Sequence, residues 1–320
     1  MIESVVIFGG SGFIGTHMIR RLVSDGRFSI ISVDLQPPRE RHEGVEYRIA
    51  DVRDLRAFKV PNNTNRFYNF AAIHKTPGHS QHEYYETNIL GAIEVTDLAV
   101  RSSVNEIIFT SSISVYGPGE DTKSEQTQLS PKTAYGYSKM MAERIFETWA
   151  ERDSDRRLTI VRPAVVFGPG ERGNFTRLVG LLRKGFFVYP GRKDTIKACI
   201  YVGDLIESVE FARKNADAIT IFNAAYPQRY TLEEIVETLI ARYFPNARTI
   251  LIPKGIVMGM ASLLGSLDTL HLGIHPDRVM KLVRSTDVQP GWLLSHGREF
   301  PGAIEKAFDA WSEATQGRFD

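Results

Sequence analysis

The stretch "SVVIFGGSGFIG", Ser4–Gly15, decides how the chain is read. Its first half is a short apolar run rich in β-branched residues, which suits a buried strand. Its second half sets Gly9, Gly12 and Gly15 at every third position and opens "GFIGTHMIRRLVSDG". There Phe13, Ile14, Met18, Ile19 and Leu22 recur at helical spacing. A strand, a glycine turn and a helix in that order make a cradle for a pyrophosphate. Glycine permits the tight turn and the close backbone approach, and the helix N-terminus offers free N–H groups and partial positive charge. The alternative is an ordinary glycine-rich turn, so the surroundings have to decide.

The second strand, "FSIISVDL", ends at Asp34, about 20 residues beyond Gly15. A carboxylate there accepts both hydroxyls of an adenosine ribose and repels a 2′-phosphate, which favours NAD over NADP. Arg39 and Arg41 follow closely and soften that preference. The third strand, "VEYRIAD", ends at Asp51, which either accepts from an adenine amino group or caps a helix beginning near Asp54.

Further on, "RFYNFAA", "EIIFTSS" and "RLTIVRPAVVFG" read as strands four to six. Helical patterns, Tyr84–Ser102 and Lys132–Arg152, lie between them. This alternation predicts a Rossmann-type α/β fold, a doubly wound parallel sheet with helices on both faces. After Gly168 the rhythm loosens. "RLVGLLRKGFFVYPG" reads as a helix and an irregular edge, and "CIYVGDLIESVEFARKN" with "AITIFNAA" restores a strand–helix–strand unit. From Pro227 the pattern is mostly helical, broken at Pro253 and Pro276. The expected division is residues 1–170, with 198–225 returning to them, as the dinucleotide-binding unit. Residues 171–197 and 226–320 form a smaller, mainly helical C-terminal substrate lobe.

Composition narrows the class. Of 320 residues, 42% are hydrophobic and 24% charged, which predicts a packed globular core. A net charge of +1 provides no overall field for nucleic acid or an acidic membrane. The single cysteine, Cys199, excludes an internal disulfide and suits a reducing, cytoplasmic setting. "MIESVVIFGG" has no basic n-region and no small-residue cleavage site, so no signal peptide is expected. The apolar stretch Gly255–Leu267 is too short for a span of about 20 residues. It reads as a buried helix, with a membrane or oligomer contact as the alternatives. His74 and His79 flank the loop after the fourth strand, where they either touch a ligand or are plain loop residues. No spacing in the chain fits a metal site.

The chemistry concentrates in "YGYSK", Tyr135–Lys139. Tyr135 and Lys139 are i and i+4, so on a helix they share a face. A phenol is a poor base at neutral pH, and a neighbouring ammonium favours its phenolate. Lysine also has three donors for a cofactor's ribose hydroxyls. "FTSSISVYG" ends the fifth strand and sets Ser111, Ser112 and Ser114 at the carboxyl edge of the sheet, where open α/β sheets bind ligands. The order of glycine turn, acidic strand end, serine strand end and Y-x-x-x-K is far more specific than any one part.

With these residues the chain resembles the extended short-chain dehydrogenase/reductase family, in its nucleotide-sugar epimerase and dehydratase branch. The likeness rests on "GGSGFIG", "VDL", "DVRD", "NFAA", "ETNILGAIEV", "SSISVYG", "YGYSK", "RPAVVFGPG" and "YVGDL", and is strongest over residues 3–170. The resemblance implies Ser112, Tyr135 and Lys139 as the catalytic trio. It implies Gly9, Gly12, Phe13, Ile14, Gly15, Asp34, Asp51, Val52, Ala71, Ala72, Asn88, Tyr135 and Lys139 around NAD. A nucleoside diphosphate sugar, a UDP-sugar first, is the implied substrate. Ser114, Asn174, Arg192, Lys197 and Arg278 are the candidate contacts to it. Relatives use arginine where Lys197 stands and asparagine where Val165 stands, so the substrate's grip differs here. Homodimerisation through the two long helices is a further family expectation.

Dehydratases and decarboxylases similar to this family carry carboxylates just before the "VYG" element. Here Ile113 and Ser114 occupy that place, which favours a 4-epimerase. A net oxidoreductase, such as a 4-ketosugar reductase or hydroxysteroid-like dehydrogenase, is the rival. A non-catalytic NAD-sensing protein is the third reading, and the intact trio opposes it.

Overall fold

The computed structural model describes residues 3–75, 78–215, 217–253, 255 and 284–320. Arg278 and the stretch Gly255–Leu267 beyond its first residue lie outside the described residues. Seven parallel strands form the central sheet: β1 (Glu3–Phe8), β2 (Phe28–Asp34), β3 (Val45–Ile49), β4 (Thr64–Asn69), β5 (Glu106–Thr110), β6 (Arg157–Pro163) and β10 (Ile219–Ala224). Their order is β10-β6-β5-β4-β1-β2-β3. The order reverses between β1 and β4, and there the carboxyl ends of neighbouring strands diverge into a crevice.

Burial follows the doubly wound plan. Val5 and Ile7 face one apolar cluster and Val6 and Phe8 the other, and all four are completely buried. Period-2 alternation therefore serves two covered faces rather than one wet face. On one side α3 (Gly91–Arg101) and α4 (Ala134–Glu151) cover Phe67, Ile107 and Ile160. On the other side α1 (Phe13–Asp25) and α6 (Val202–Lys214) share a cluster with α5 (Asn174–Arg183), α7 (Leu232–Tyr243) and the last helix, Ala303–Ala314. Phe175, Ile235, Phe308 and Trp311 belong to the same cluster as Val5 and Met18, so the C-terminal elements are continuous with the core of the sheet.

Several expectations need correction. The helix expected over Tyr84–Ser102 is α2 (Gln81–Tyr85), a π-helical turn (Glu86–Leu90) and α3. The helical reading from Pro227 onward misses a strand, β11 (Arg248–Pro253). It pairs in parallel with β8 (Phe186–Gly191), the stretch read as an irregular edge. Residues that pair so far apart in sequence leave no local periodicity to find. The sixth strand breaks at Ala164. Its continuation, β7 (Val165–Phe167), leaves the sheet and pairs with β9 (Cys199–Tyr201). Asp54 starts no helix: Asp51 instead caps a turn, accepting from the Arg53 N–H at 2.9 Å.

Candidate active site

The glycine turn is built by close approach. Gly9 has φ +79°, and a Cβ on it would lie 2.5 Å from the Ala71 nitrogen. A Cβ on Gly15 would lie 2.2 Å from the Gly9 carbonyl oxygen, so this glycine seats α1 on β1. At Gly12 a Cβ meets only the Gly9 oxygen, at 3.1 Å, and space opens around the N-terminus of α1. No side chain caps that terminus. Its first-turn N–H groups are the kind that meet phosphate oxygens.

Asp34, the last residue of β2, braces this turn. Its carboxylate accepts from the Ser11 N–H and from the Gln36 N–H, each at 3.0 Å, while the Ser11 hydroxyl donates to the Gln36 carbonyl at 2.8 Å. Arg39 donates to the Gly170 carbonyl at 2.7 Å while still feeling the Asp34 charge, and Arg41 lies over the Tyr47 ring. Arg39 therefore stays near the acidic end of β2, and Arg41 is engaged with Tyr47. Asp51 is bound through both carboxylate oxygens to Arg53, which holds its carboxyl below the ordinary range. Val52 is buried against Gly91. Phe13 packs edge-on to His17, and Ile14 packs on the core.

The ends of β4 and β5 form the opposite wall. Ala71 and Ala72 are half-buried beside Gly9. Asn88, expected along the cofactor, is fully committed inside the protein. Its Oδ1 accepts from the Ile73 N–H at 3.0 Å, and its Nδ2 donates to the Ile73 carbonyl and to Ser138 Oγ. It therefore clamps the loop after β4 to α4, and reaches any ligand only through that loop. Two buried polar atoms at these strand ends, Asn69 Oδ1 and Ser111 Oγ, have no hydrogen-bond partner. An edge that strands polar atoms in this way suits a polar ligand.

Ser112 caps the short 3₁₀ helix Ile113–Tyr116, and its Oγ accepts from the Ser114 N–H at 3.1 Å. The Ser112 hydroxyl also donates to Ser114 Oγ at 3.1 Å. Tyr135 stands in the first turn of α4, half-buried and hydrogen-bonded with Ser112. Lys139, one turn later, is 2% exposed; its Nζ donates to the Thr110 carbonyl at 2.6 Å and lies 4.6 Å from the centre of the Phe109 ring. The three residues do meet at the carboxyl end of β5.

Their electrostatics differ from the sequence expectation. Burial pushes the Tyr135 phenol up to about 12, and the Ser112 hydrogen bond opposes this only in part. Burial also brings Lys139 down to about 7, with the Glu143 carboxylate opposing. The ammonium was expected to depress the phenol; desolvation dominates both groups instead, because it penalises whichever form is charged. His74, at the rim of the crevice, is held below its ordinary value by desolvation and then by the Lys139 charge. His79 faces Glu83 and the Tyr84 ring.

Among the candidate substrate contacts, Ser114 bonds Ser112 of the trio, while Lys197 and Arg192 have partners elsewhere. Lys197 donates to the Arg284 carbonyl at 2.8 Å, and burial lowers its pKa to about 8. Arg192 pairs with Glu120 and Asp194, and Glu120 also accepts from the Ser285 N–H. Asn174 is exposed at the start of α5. Val165 is half-buried in β7.

Sequence reasoning missed the support behind the trio. Glu143, buried on α4, makes a two-point ion pair with Arg162 of β6, at 2.9 and 2.7 Å. Arg162 donates to the Tyr116 hydroxyl at 3.0 Å, which donates to Asn223 Oδ1 at 2.7 Å. The signal was available: positions 135, 139 and 143 form one stripe of a helix. Tyr84, also missed, is buried beside Tyr135.

The sheet order, the glycine turn and a tyrosine–lysine pair at the carboxyl end of β5 define the class: a doubly wound α/β protein with a crevice at the carboxyl edge of its sheet. The chain belongs to the NAD dependent epimerase/dehydratase family, whose pattern matches residues 5–225. It is 28% identical over 316 residues to the N-acetyl-alpha-D-glucosaminyl-diphospho-ditrans,octacis-undecaprenol 4-epimerase of Escherichia coli O157:H7, covering 97% of this chain and 94% of that protein. It is 30% identical to the UDP-glucose 4-epimerase of Vibrio cholerae over 58% of each chain. Among solved structures it shares its fold with a UDP-galactose 4-epimerase, at TM-score 0.73 and 21% identity over 98% of both chains. A Thermus thermophilus UDP-glucose 4-epimerase complexed with NAD has TM-score 0.71 and 20% identity, covering 97% of this chain and 99% of that one.

Proposed function

We propose that the protein is an NAD-dependent 4-epimerase of a sugar diphosphate. The observation that carries this reading is the meeting of Tyr135 and Ser112 at the carboxyl end of β5, with Lys139 one turn along the same helix. NAD fits the crevice by the room at Gly12, the uncapped α1 terminus and the unpartnered polar atoms at the strand ends. Gly9, Gly12, Phe13, Ile14 and Gly15 hold its pyrophosphate, Asp34 its adenosine ribose, and Asp51 and Val52 its adenine. Ala71, Ala72 and the loop braced by Asn88 line the remainder. When bound, NAD supplies a reversible hydride acceptor for C4, so that the sugar passes through a 4-keto form without net redox change.

The chain's own residues move the proton. Tyr135 takes it from the C4 hydroxyl and returns it, and Ser112 holds the same oxygen. Lys139 releases or keeps its proton near neutral pH, so it sets the charge beside Tyr135. Burial alone leaves the phenol too weak a base, so positive charge from Lys139 and the oxidised cofactor has to offset it. Residues 171–197 and 226–320 grip the diphosphate, with Lys197, Arg192, Arg278 and Asn174 as its contacts, and Ser114 stands beside the sugar. Arg192 and Lys197 exchange their present partners for phosphate oxygens on binding.

Two carriers fit the diphosphate. A nucleoside diphosphate such as UDP is the first. A polyprenyl diphosphate is the second, and one observation favours it: the Escherichia coli relative whose name carries that substrate matches this chain nearly end to end. Incubation with UDP-, dTDP- and GDP-sugars, and separately with N-acetylglucosaminyl polyprenyl diphosphate, decides between them. A 4-epimer without added cofactor and without free NADH at 340 nm is the expected product. A 4-keto-6-deoxy product, or NADH in proportion to substrate, overturns the reading.

The protein acts as a cytoplasmic homodimer. The support is an apolar face on α3 and α4: Ile93 and Val100 are 40% and 54% exposed, beside Leu90, Tyr137 and Met141. Four helices, two from each copy, would cover it.

A further inference from the structure

We infer that Tyr84 is a positioning residue for the acid–base step: its ring seals one side of Tyr135 from water, and its hydroxyl ties the loop after β4 over the crevice. This rests on the reading of Tyr135 as the proton-transfer group.

The geometry is specific. Tyr84, on α2, is 3% exposed, and its ring centre lies 6.2 Å from that of Tyr135 at an interplanar angle of 56°. Its hydroxyl donates to the Lys75 carbonyl at 2.6 Å. Two residues into the π-helical turn that follows, Asn88 bonds both Ile73 backbone groups and Ser138 Oγ, and the Ser138 hydroxyl donates to the Tyr135 carbonyl at 2.9 Å. One short segment therefore grips the 73–75 loop twice and the catalytic helix twice. Tyr84 and Asn88 are four residues apart and so share the face turned to α4; Asn88 lies within the π-helical turn, and such turns recur at functional sites.

The groups acting on Tyr135 are Ser112 from the end of β5 and Tyr84 from α2; around them Ser114 bonds Ser112, Lys139 stands one turn further along α4, His74 feels the Lys139 charge and His79 packs on the Tyr84 ring. Ser112, whose hydroxyl donates to Ser114 here, favours the phenolate by turning that proton toward Tyr135. The Tyr84 ring acts against it, by holding water away and by setting a second phenol alongside. Tyr84 thereby raises the cost of ionising Tyr135 in the empty crevice, which makes proton removal depend more strongly on positive charge brought by a ligand.

The test reads the phenol itself. Tyrosine labelled at Cζ with ¹³C reports ionisation by NMR, and Tyr135 is assigned by the signal lost in Tyr135→Phe. In Tyr84→Ser the Tyr135 pKa falls by about one unit as water enters, which raises its phenolate fraction at pH 10 about tenfold. In Tyr84→Phe, which keeps the ring and loses only the second phenol, the fall is smaller than in Tyr84→Ser. If Tyr84→Ser, folded by circular dichroism, titrates as the wild type does, the inference is wrong. It is equally wrong if Tyr84→Phe shifts as far as Tyr84→Ser. Should Tyr84→Ser not fold, Tyr84→Leu is judged by the same shift. Full epimerase activity in Tyr135→Phe would instead sink the proposed reaction and leave the titration result standing.

Discussion

At the scale of single residues, desolvation is the strongest influence on the site. Tyr135 and Lys139 both tend toward neutrality, so the site is set to respond to charge brought in by a ligand. Removing the phenol hydroxyl deletes the proposed proton carrier. Tyr135→Phe is expected to lose about 10²–10⁴-fold in turnover while keeping its fold, as checked by epimer ratios from NMR and by circular dichroism. Lys139 gives a second prediction. Its folded pKa, about 7, lies below the ordinary lysine value, so between these pH values the unfolded chain binds more protons. Its contribution to stability therefore rises from pH 7 toward pH 10 and is missing below pH 7. Urea unfolding at several pH values should show this slope in the wild type and a weaker one in Lys139→Met; equal slopes would remove Lys139 as its source.

At the scale of elements, α4 is anchored twice: by Ser138 and Tyr84 toward the crevice, and by the Glu143–Arg162 pair toward β6. Arg162→Met leaves the Glu143 carboxylate buried and unpaired, which should cost about 3–5 kcal/mol in a denaturant titration. Arg162→Met combined with Glu143→Leu should recover most of that loss, because no charge is then stranded. The glycine turn is as intolerant. Gly15→Ala sets a methyl 2.2 Å from the Gly9 carbonyl oxygen, so α1 must shift off β1. A loss of about 1–3 kcal/mol is expected, together with loss of NAD from the purified protein, measured by absorbance after denaturation. These elements were unequally legible. The strand–glycine–helix unit and the Tyr135–Lys139 stripe depend on local spacing and are visible in one dimension. The π-helical turn inside the expected Tyr84–Ser102 helix is not, since no spacing of side chains marks it, and neither do the bonds of Asn88 to two other segments show in one dimension.

At the scale of the whole molecule, the unpartnered face of α3 and α4 predicts assembly. Ile93→Glu with Met141→Glu should convert a dimer into a monomer in analytical ultracentrifugation, with the circular dichroism spectrum retained. A wild type that sediments as a monomer removes the proposed interface. The division of the chain was less legible than the sheet. The apolar cluster under α1 and α6 continues into α5, α7 and the last helix, so the C-terminal elements have no separate core among the described residues. β8 and β11 pair across a long sequence separation, a contact that no local pattern encodes.

The sequence by itself determined the parallel α/β plan, the glycine turn, the acidic end of β2 and the tyrosine–lysine stripe, because each is a pattern of neighbours along one strand or one helix. The tertiary structure alone decided that Asn88 is a clamp, that Arg39 bonds Gly170, that Glu143 and Arg162 share a buried pair, and that Tyr84 lies against Tyr135. It also decided which way the pKa values of Tyr135 and Lys139 move. These outcomes depend on burial and on partners from distant segments, and packing in three dimensions is what assigns both.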